Sequence, residues 1–61
     1  MFINTLVVGS INAPLYRMRD HYLVVVYKRN ARGVFTEVDR HKGTRRSVVA
    51  SRNISVTTNN S

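Results

Sequence analysis

The stretch that most constrains the fold is residues 21–38, HYLVVVYKRNARGVFTEV. Six of the eight residues at positions 21–28 are Val, Tyr or Leu, and a similar run occupies positions 34–38. Such side chains suit the pleated, half-buried surface of a β-strand. Between the runs, Asn30 can open a type I turn and Gly33 can adopt a positive φ. The sequence therefore predicts a central β-hairpin over residues 21–38.

The length of the loop determines which side chains of this hairpin share a face. A four-residue loop pairs Arg29 with Val34, whereas a three-residue loop slips one strand and changes every partner. With the four-residue loop, the face expected to meet the core carries Leu23, Val25, Tyr27, Val34, Thr36 and Val38. The opposite face then carries Tyr22, Val24, Val26, Lys28, Phe35, Glu37 and Asp39.

The remaining segments are short, and each is either mostly apolar or alternates between apolar and polar residues. Residues 1–8 form a predicted first strand, and residues 10–14 a connection, because their proline cannot donate to a ladder. Residues 15–20 fit either one helical turn or a short bridge into the hairpin. Residues 47–50 are predicted to form a fourth strand, and the alternation at 54–57 predicts an exposed edge strand.

These elements together predict a mostly β fold. We expect a small antiparallel sheet of about four or five short strands, which bends into a barrel-like or sandwich-like shape to bury its apolar face. At most one short helical turn is expected, near residues 15–20. The pattern indicates a single basic domain over residues 1–57 and a frayed tail at 58–61.

Small size limits the core of this chain. A domain of 61 residues buries only about 60% of the surface that its unfolded chain exposes, and the absence of cysteine excludes disulfides and thiolate metal sites. Residues 1–16 carry no charged side chain. We therefore expect the protein to self-associate as a homo-oligomer, at least a dimer.

The charge is strongly basic, with ten Lys and Arg residues against three Asp and Glu residues. All thirteen charges lie between Arg17 and Arg52. This imbalance favours an acidic partner, such as nucleic acid, an acidic protein surface or anionic lipid, although it could serve solubility alone. Arginine predominates, and its guanidinium group suits phosphate, carboxylate and stacked rings.

The residues needed for catalysis are scarce. His21 and His41 each have a neighbouring aspartate, but neither has the three or four close ligands of a zinc site, so both are interpreted as surface histidines. Glu37 and Asp39 are interpreted as ion-pair partners of nearby arginines. No phosphate-binding glycine loop or nucleophile elbow is present. We therefore predict a protein that is not an enzyme, with no cofactor, metal or small-molecule substrate.

The apolar start of the chain does not fit a signal peptide. Residues 1–8 lack a positively charged beginning, and no run is long enough to span a membrane. A cytoplasmic location is the resulting expectation.

Two functions fit these features, and nucleic-acid binding ranks slightly first. In that hypothesis, Arg-rich hairpin loops contact the phosphates of DNA or RNA, and Tyr22, Tyr27 or Phe35 stack on unpaired bases if they are not part of the core. The alternative is a protein-binding regulator or inhibitor of the viral or mobile-element type, docked on an acidic surface. A ribonucleoprotein subunit is a third, weaker interpretation. The residues predicted to contact either kind of partner are Lys28, Arg29, Arg32, Arg40, Lys42, Arg45, Arg46, Arg52 and Tyr22.

Overall fold

The structure, a computed structural model, describes residues 1–60. Four strands are followed by one helix: β1 (Phe2–Val8), β2 (Ile11–Arg17), β3 (Tyr22–Arg29), β4 (Phe35–Gly43) and α1 (Arg45–Asn59). The strands form one antiparallel sheet in the order β1-β2-β3-β4. The prediction of a mostly β chain with a small antiparallel sheet is therefore confirmed.

The central hairpin is confirmed as the pairing of β3 with β4. Its loop closes as expected, since the Gly33 N–H donates to the Asn30 carbonyl at 2.9 Å and Gly33 has a φ of 81°. The Asn30 side-chain oxygen accepts further bonds from the N–H groups of Arg32 and Val34, at 2.9 and 3.1 Å. Asparagine and glycine thus fix the turn through backbone contacts.

The predicted register of this hairpin is wrong. Arg29 lies opposite Phe35 instead of Val34, and a β-bulge lets Val26 pair with Asp39 while Tyr27 pairs with Glu37. The predicted core face is wrong as well, because α1 covers the other face of β3. Val24 and Val26, rather than Leu23 and Tyr27, enter the main core, and the register shift moves the residues of β4 relative to them.

β2 replaces the connection predicted over residues 10–14. A two-residue turn joins β1 to β2, with a φ of 57° at Gly9 and no positive φ at Ser10, which is the pattern of a type II′ turn. The paired register between β2 and β3 is interrupted at Ala13 and Pro14, because Pro14 has no N–H to donate. A central strand therefore tolerates proline at the cost of ladder bonds. β2 runs on to Arg17, where a helical turn was one prediction for residues 15–20.

α1 replaces the strands predicted at residues 47–50 and 54–57. The Thr44 side chain caps the helix by accepting a hydrogen bond from the Ser47 N–H at 3.2 Å. The buried residues recur at helical spacing and are Val48, Arg52, Ser55 and Val56. Within the described residues, no helix has the length and apolar character needed to cross a membrane.

The helix covers one face of the sheet, and the core lies between these two layers. The sheet is not closed into a barrel, because β1 and β4 are its two edges. Seven buried residues form the core: Ile11, Ala13, Leu15, Val24, Val26, Val48 and Val56. Burial is achieved by a helix laid on an open sheet rather than by bending the sheet onto itself.

The end of the helix is held against the sheet. The Lys28 ammonium group donates a hydrogen bond of 2.8 Å to the carbonyl of Asn59 in the last helical turn. A cation at this position also interacts favourably with the helix dipole. The tail predicted at residues 58–61 therefore begins within the helix, and Ser61 lies outside the described residues.

The identity of the core face can be tested with two leucines. Leu15 is 1% exposed beneath α1, whereas Leu23 is half-buried on the other face of the sheet. We expect Leu15→Ala to lower the free energy of unfolding by about 2–5 kcal/mol, and Leu23→Ala to lower it clearly less. Urea denaturation of the two variants measures both values. A larger decrease for Leu23→Ala would contradict this assignment of the core.

Candidate functional site

The face of the sheet opposite α1 is not covered by any described segment, and we call it the open face. Strand alternation and register give its members: Phe2, Thr5, Val7, Asn12, Pro14, Tyr16, Leu23, Val25, Tyr27, Arg29, Phe35, Glu37, Arg40 and Lys42. Four of the five aromatic residues of the chain belong to it. The open face therefore concentrates the flat, polarisable side chains of the protein.

The aromatic side chains of the open face are accessible to different degrees. Phe2 is 56% and Phe35 is 47% exposed, while Tyr16 and Tyr27 are half-buried. The rings of Phe2 and Tyr16 contact each other edge to face, with centroids 6.0 Å apart. Val25 lies almost fully buried among its neighbours on this face. The open face thus has a buried centre at Val25 and solvent-accessible aromatic side chains around it.

Three basic residues share the open face with these rings. Lys42 lies opposite Leu23, Arg29 lies opposite Phe35, and Arg40 lies opposite Val25. Arg40 donates a hydrogen bond of 2.8 Å to the carboxylate of Glu37, which raises the pKa of Arg40. Glu37 therefore forms an ion pair with one of the three basic residues of the open face.

Most of the basic side chains have no hydrogen-bond or ion-pair partner among the described residues. Within residues 1–60, seven of the ten donate no hydrogen bond and form no ion pair: Arg17, Arg19, Arg29, Arg32, Lys42, Arg45 and Arg46. Five of the nine predicted binding residues belong to this set. His21 and, to a smaller extent, Lys42 lower the pKa of Asp20. The charges of the six residues other than Lys42 are available to an external anion.

A cleft of about 560 Å³ lies at one end of the sheet, where the β2–β3 turn meets the start of α1. Arg17, Arg19 and Arg45 contribute to its lining. Asp20 also lines the cleft, but its carboxylate lies 2.6 Å from Nδ1 of His21, and this contact lowers the pKa of Asp20. The first turn of α1 contains no acidic residue, so Arg45 and Arg46 add to the positive end of the helix.

Three of the predicted binding residues make contacts within the fold. Lys28 donates a hydrogen bond to the end of α1, and Tyr22 packs against the core on the helix side and also lines the cleft. Arg52 is 9% exposed and donates to the side-chain oxygen of Asn4 at 3.0 Å and to the carbonyl of Ala13 at 3.4 Å. Burial lowers the pKa of Arg52. The guanidinium group of Arg52, predicted from the sequence to contact a partner, joins the helix to β1 and β2.

Several side chains of this surface are not among those predicted from the sequence. Arg17 and Arg19 line the cleft, and their charge is the signal that could have identified them. Arg45 and Arg46 lie in the first turn of α1, because a helix replaces the strand predicted at residues 47–50. Tyr16 belongs to the open face because residues 15–17 are in a strand, where alternation places it opposite the buried Leu15.

A second polar cluster joins β4 to α1. The Ser55 hydroxyl donates to Oδ2 of Asp39 at 2.7 Å, and Nε2 of His41 lies 3.2 Å from the same oxygen. The serine proton is thus directed to the carboxylate and not to the imidazole, which differs from the arrangement that activates a serine nucleophile. The hydrogen bond from Ser55, followed by one from the Arg40 N–H, lowers the pKa of Asp39.

Comparison with models of protein families gave no match, and neither did comparisons with curated proteins and with solved structures. Among the described residues, no group of three or more His, Cys, Asp or Glu side chains is arranged to hold a metal ion. Function is therefore inferred from the open face and from the unpartnered cations.

The Asp39 contact makes stability depend on pH. Because the folded state lowers the pKa of Asp39 below 3.8, its contribution is present above that value and disappears as the pH falls through the lower, folded value. We expect the melting temperature of Asp39→Asn to fall less than that of the wild type between about pH 5 and pH 1. Ser55→Ala should also flatten the profile. Parallel profiles for wild type and Asp39→Asn would contradict the assignment.

Proposed function

We propose that this protein binds nucleic acid through its basic surface. The observation that carries the proposal is the set of seven basic side chains that form no hydrogen bond or ion pair within residues 1–60, in a chain whose formal net charge is +7. Phosphate groups match such a surface because each phosphate that a basic side chain neutralises releases condensed counterions from the nucleic acid. The hairpin residues Arg29 and Arg32 and the cluster near the start of α1 supply separate regions for binding.

The region around the start of α1 supports this proposal most strongly. Arg45 and Arg46 follow the capping Thr44, and Arg17 and Arg19 approach from the β2–β3 turn to the same cleft. The acidic residue of the cleft lining, Asp20, already has a hydrogen-bond partner in His21. A phosphate backbone passing this end of the sheet would meet several guanidinium groups within a short distance.

We also propose that the protein self-associates through β1. This edge strand carries no charged residue, and Phe2 and Val7 are 56% and 63% exposed. The other edge, β4, is protected by charged side chains, which β1 lacks. The alternative function, a protein-binding regulator, would use the same β1 edge to add a strand of its partner.

The nucleic-acid proposal predicts the behaviour of an Arg45→Ala/Arg46→Ala double variant. Its affinity should fall for all nucleic-acid sequences alike, and the slope of log K against log salt should decrease by about one unit for each phosphate that is no longer neutralised. Fluorescence anisotropy at several salt concentrations measures both. Arg45→Lys/Arg46→Lys keeps the charge and should retain most of the slope. If the alanine variant keeps its affinity and salt slope for nucleic acid but no longer binds a protein partner that the wild type binds, the alternative of a protein-binding regulator is favoured.

Self-association can be tested with one added charge. Sedimentation at micromolar concentration should show at least a dimer for the wild type, and Val7→Lys should shift it to a monomer because lysine on an edge opposes strand pairing. Val34→Lys adds the same charge at the exposed hairpin loop and should leave the dimer intact. A monomeric wild-type protein with a cooperative thermal transition would contradict the proposal.

A further inference from the structure

We infer that the nucleic acid bound by this protein is single-stranded and lies across the open face, with its bases on the aromatic side chains. This inference deepens the proposed function and depends on it. The observation behind it is distinct, because it concerns the position of the aromatic side chains on the open face relative to Arg29 and Lys42, and not the number of unpartnered cations.

The register arranges rings and cations in rows across the sheet. In one row, Phe2 lies beside Tyr16, which is followed on β3 by Leu23 and on β4 by Lys42. Near the other end of the sheet, Phe35 lies directly opposite Arg29. Two rows of the open face therefore combine aromatic side chains with one cation on the β3–β4 side, whereas Tyr27, in a row between them, lies opposite Glu37.

This separation matches the chemistry of a single strand. Unpaired bases present flat π-faces that stack on aromatic side chains with little sequence preference, while the phosphates follow a basic groove. On the open face, Tyr16 and Tyr27 would support bases, and Arg29 and Lys42 would contact phosphates. The rows are about 20 Å apart along the strands, at about 3.3 Å per residue, so one strand can contact both.

Other occupants fit the open face less well. The bases of a duplex are already stacked on one another, so the rings would gain nothing from it and only phosphate contacts would remain. A second copy of this chain packed face to face would place six cations and only two carboxylates in one interface, because each copy contributes Arg29, Arg40 and Lys42 against Glu37. An excess of like charge across an interface is unfavourable. The combination of rings and cations on one face therefore favours single-stranded nucleic acid.

Glu37 provides a sensitive probe of this geometry. Its carboxylate lies on the open face opposite Tyr27 and forms an ion pair with the Arg40 guanidinium group. Glu37 would repel the phosphate backbone of a nucleic acid on this face, and Arg40 could not pair with that backbone because it is already paired with Glu37. Removal of the charge should consequently increase affinity, which a disruption of the structure would not do.

The experiment measures the binding of two fluorescein-labelled probes by fluorescence anisotropy across a salt series. One is a single-stranded oligothymidylate of about 12 nucleotides, a length within the usual site sizes of about 4–16 nucleotides, and the other is a duplex of the same length. The single strand should bind more tightly than the duplex. Tyr27→Ala and Phe35→Ala should each weaken single-strand binding about 5- to 100-fold and leave duplex binding nearly unchanged. Tyr27→Phe keeps the ring and should bind like the wild type, and Val34→Ala is the control for removal of an exposed apolar side chain near Phe35.

Glu37→Gln is measured in the same series and should tighten single-strand binding and steepen the salt slope by about 0.7 unit, the value for one added phosphate contact on a single strand. Equal binding of single strand and duplex, with no effect of Tyr27→Ala, would overturn the inference and leave nucleic-acid binding intact. If Tyr27→Ala and Phe35→Ala instead abolish a dimer seen by sedimentation without changing nucleic-acid affinity, the open face belongs to a second copy and the inference is overturned. Absence of binding to either probe would overturn the proposed function as well.

Discussion

The packing of α1 on one face of the sheet is the interaction on which the rest of the structure depends. A single four-stranded sheet has two faces, and a chain of 61 residues supplies only one described helix to cover them. Val48 and Val56 of the helix meet Val24 and Val26 of β3, and this packing determines which face becomes the core. The other face then remains available to bind other molecules, and its composition becomes informative about function.

Arg52 extends this packing to the part of the sheet where apolar contacts are fewer. Its guanidinium group crosses from the helix to the Asn4 side chain and the Ala13 carbonyl, both of which are neutral acceptors. Burying a cation without a carboxylate is costly unless its donors are satisfied, and the Nε atom of Arg52 has no hydrogen-bond partner within the described residues. The position of α1 over β1 and β2 is therefore specified by a polar contact of modest net stability, and not by apolar burial alone.

Local sequence signals predicted the hairpin but not the face or the helix. The turn residues Asn30 and Gly33 act through the backbone, so they could be recognised without knowledge of the fold. The face could not, because it is set by α1, which the sequence predicts as strands. The bulge at Val38 and the five-residue loop at 30–34 shift the register in addition. The helix does have local signals, since no glycine or proline follows Gly43 and Thr44 is a good capping residue. The β-branched residues of this segment outweighed those signals in the prediction, although tertiary packing commonly overrides propensity.

The packing of α1 on the sheet also explains why the sequence alone suggested only a class of function, the binding of an acidic partner. Total charge was visible in the sequence, but the separation of structural cations, such as Lys28 and Arg52, from unpartnered ones required the helix. The aromatic residues show this most clearly. The main core consists of aliphatic side chains, and within residues 1–60 Tyr22 is the one aromatic residue packed against it. Tyr27 and Phe35 thus contribute their rings to a surface that the main core does not need, so their replacement should change binding far more than folding, and the two effects can be separated in the same protein.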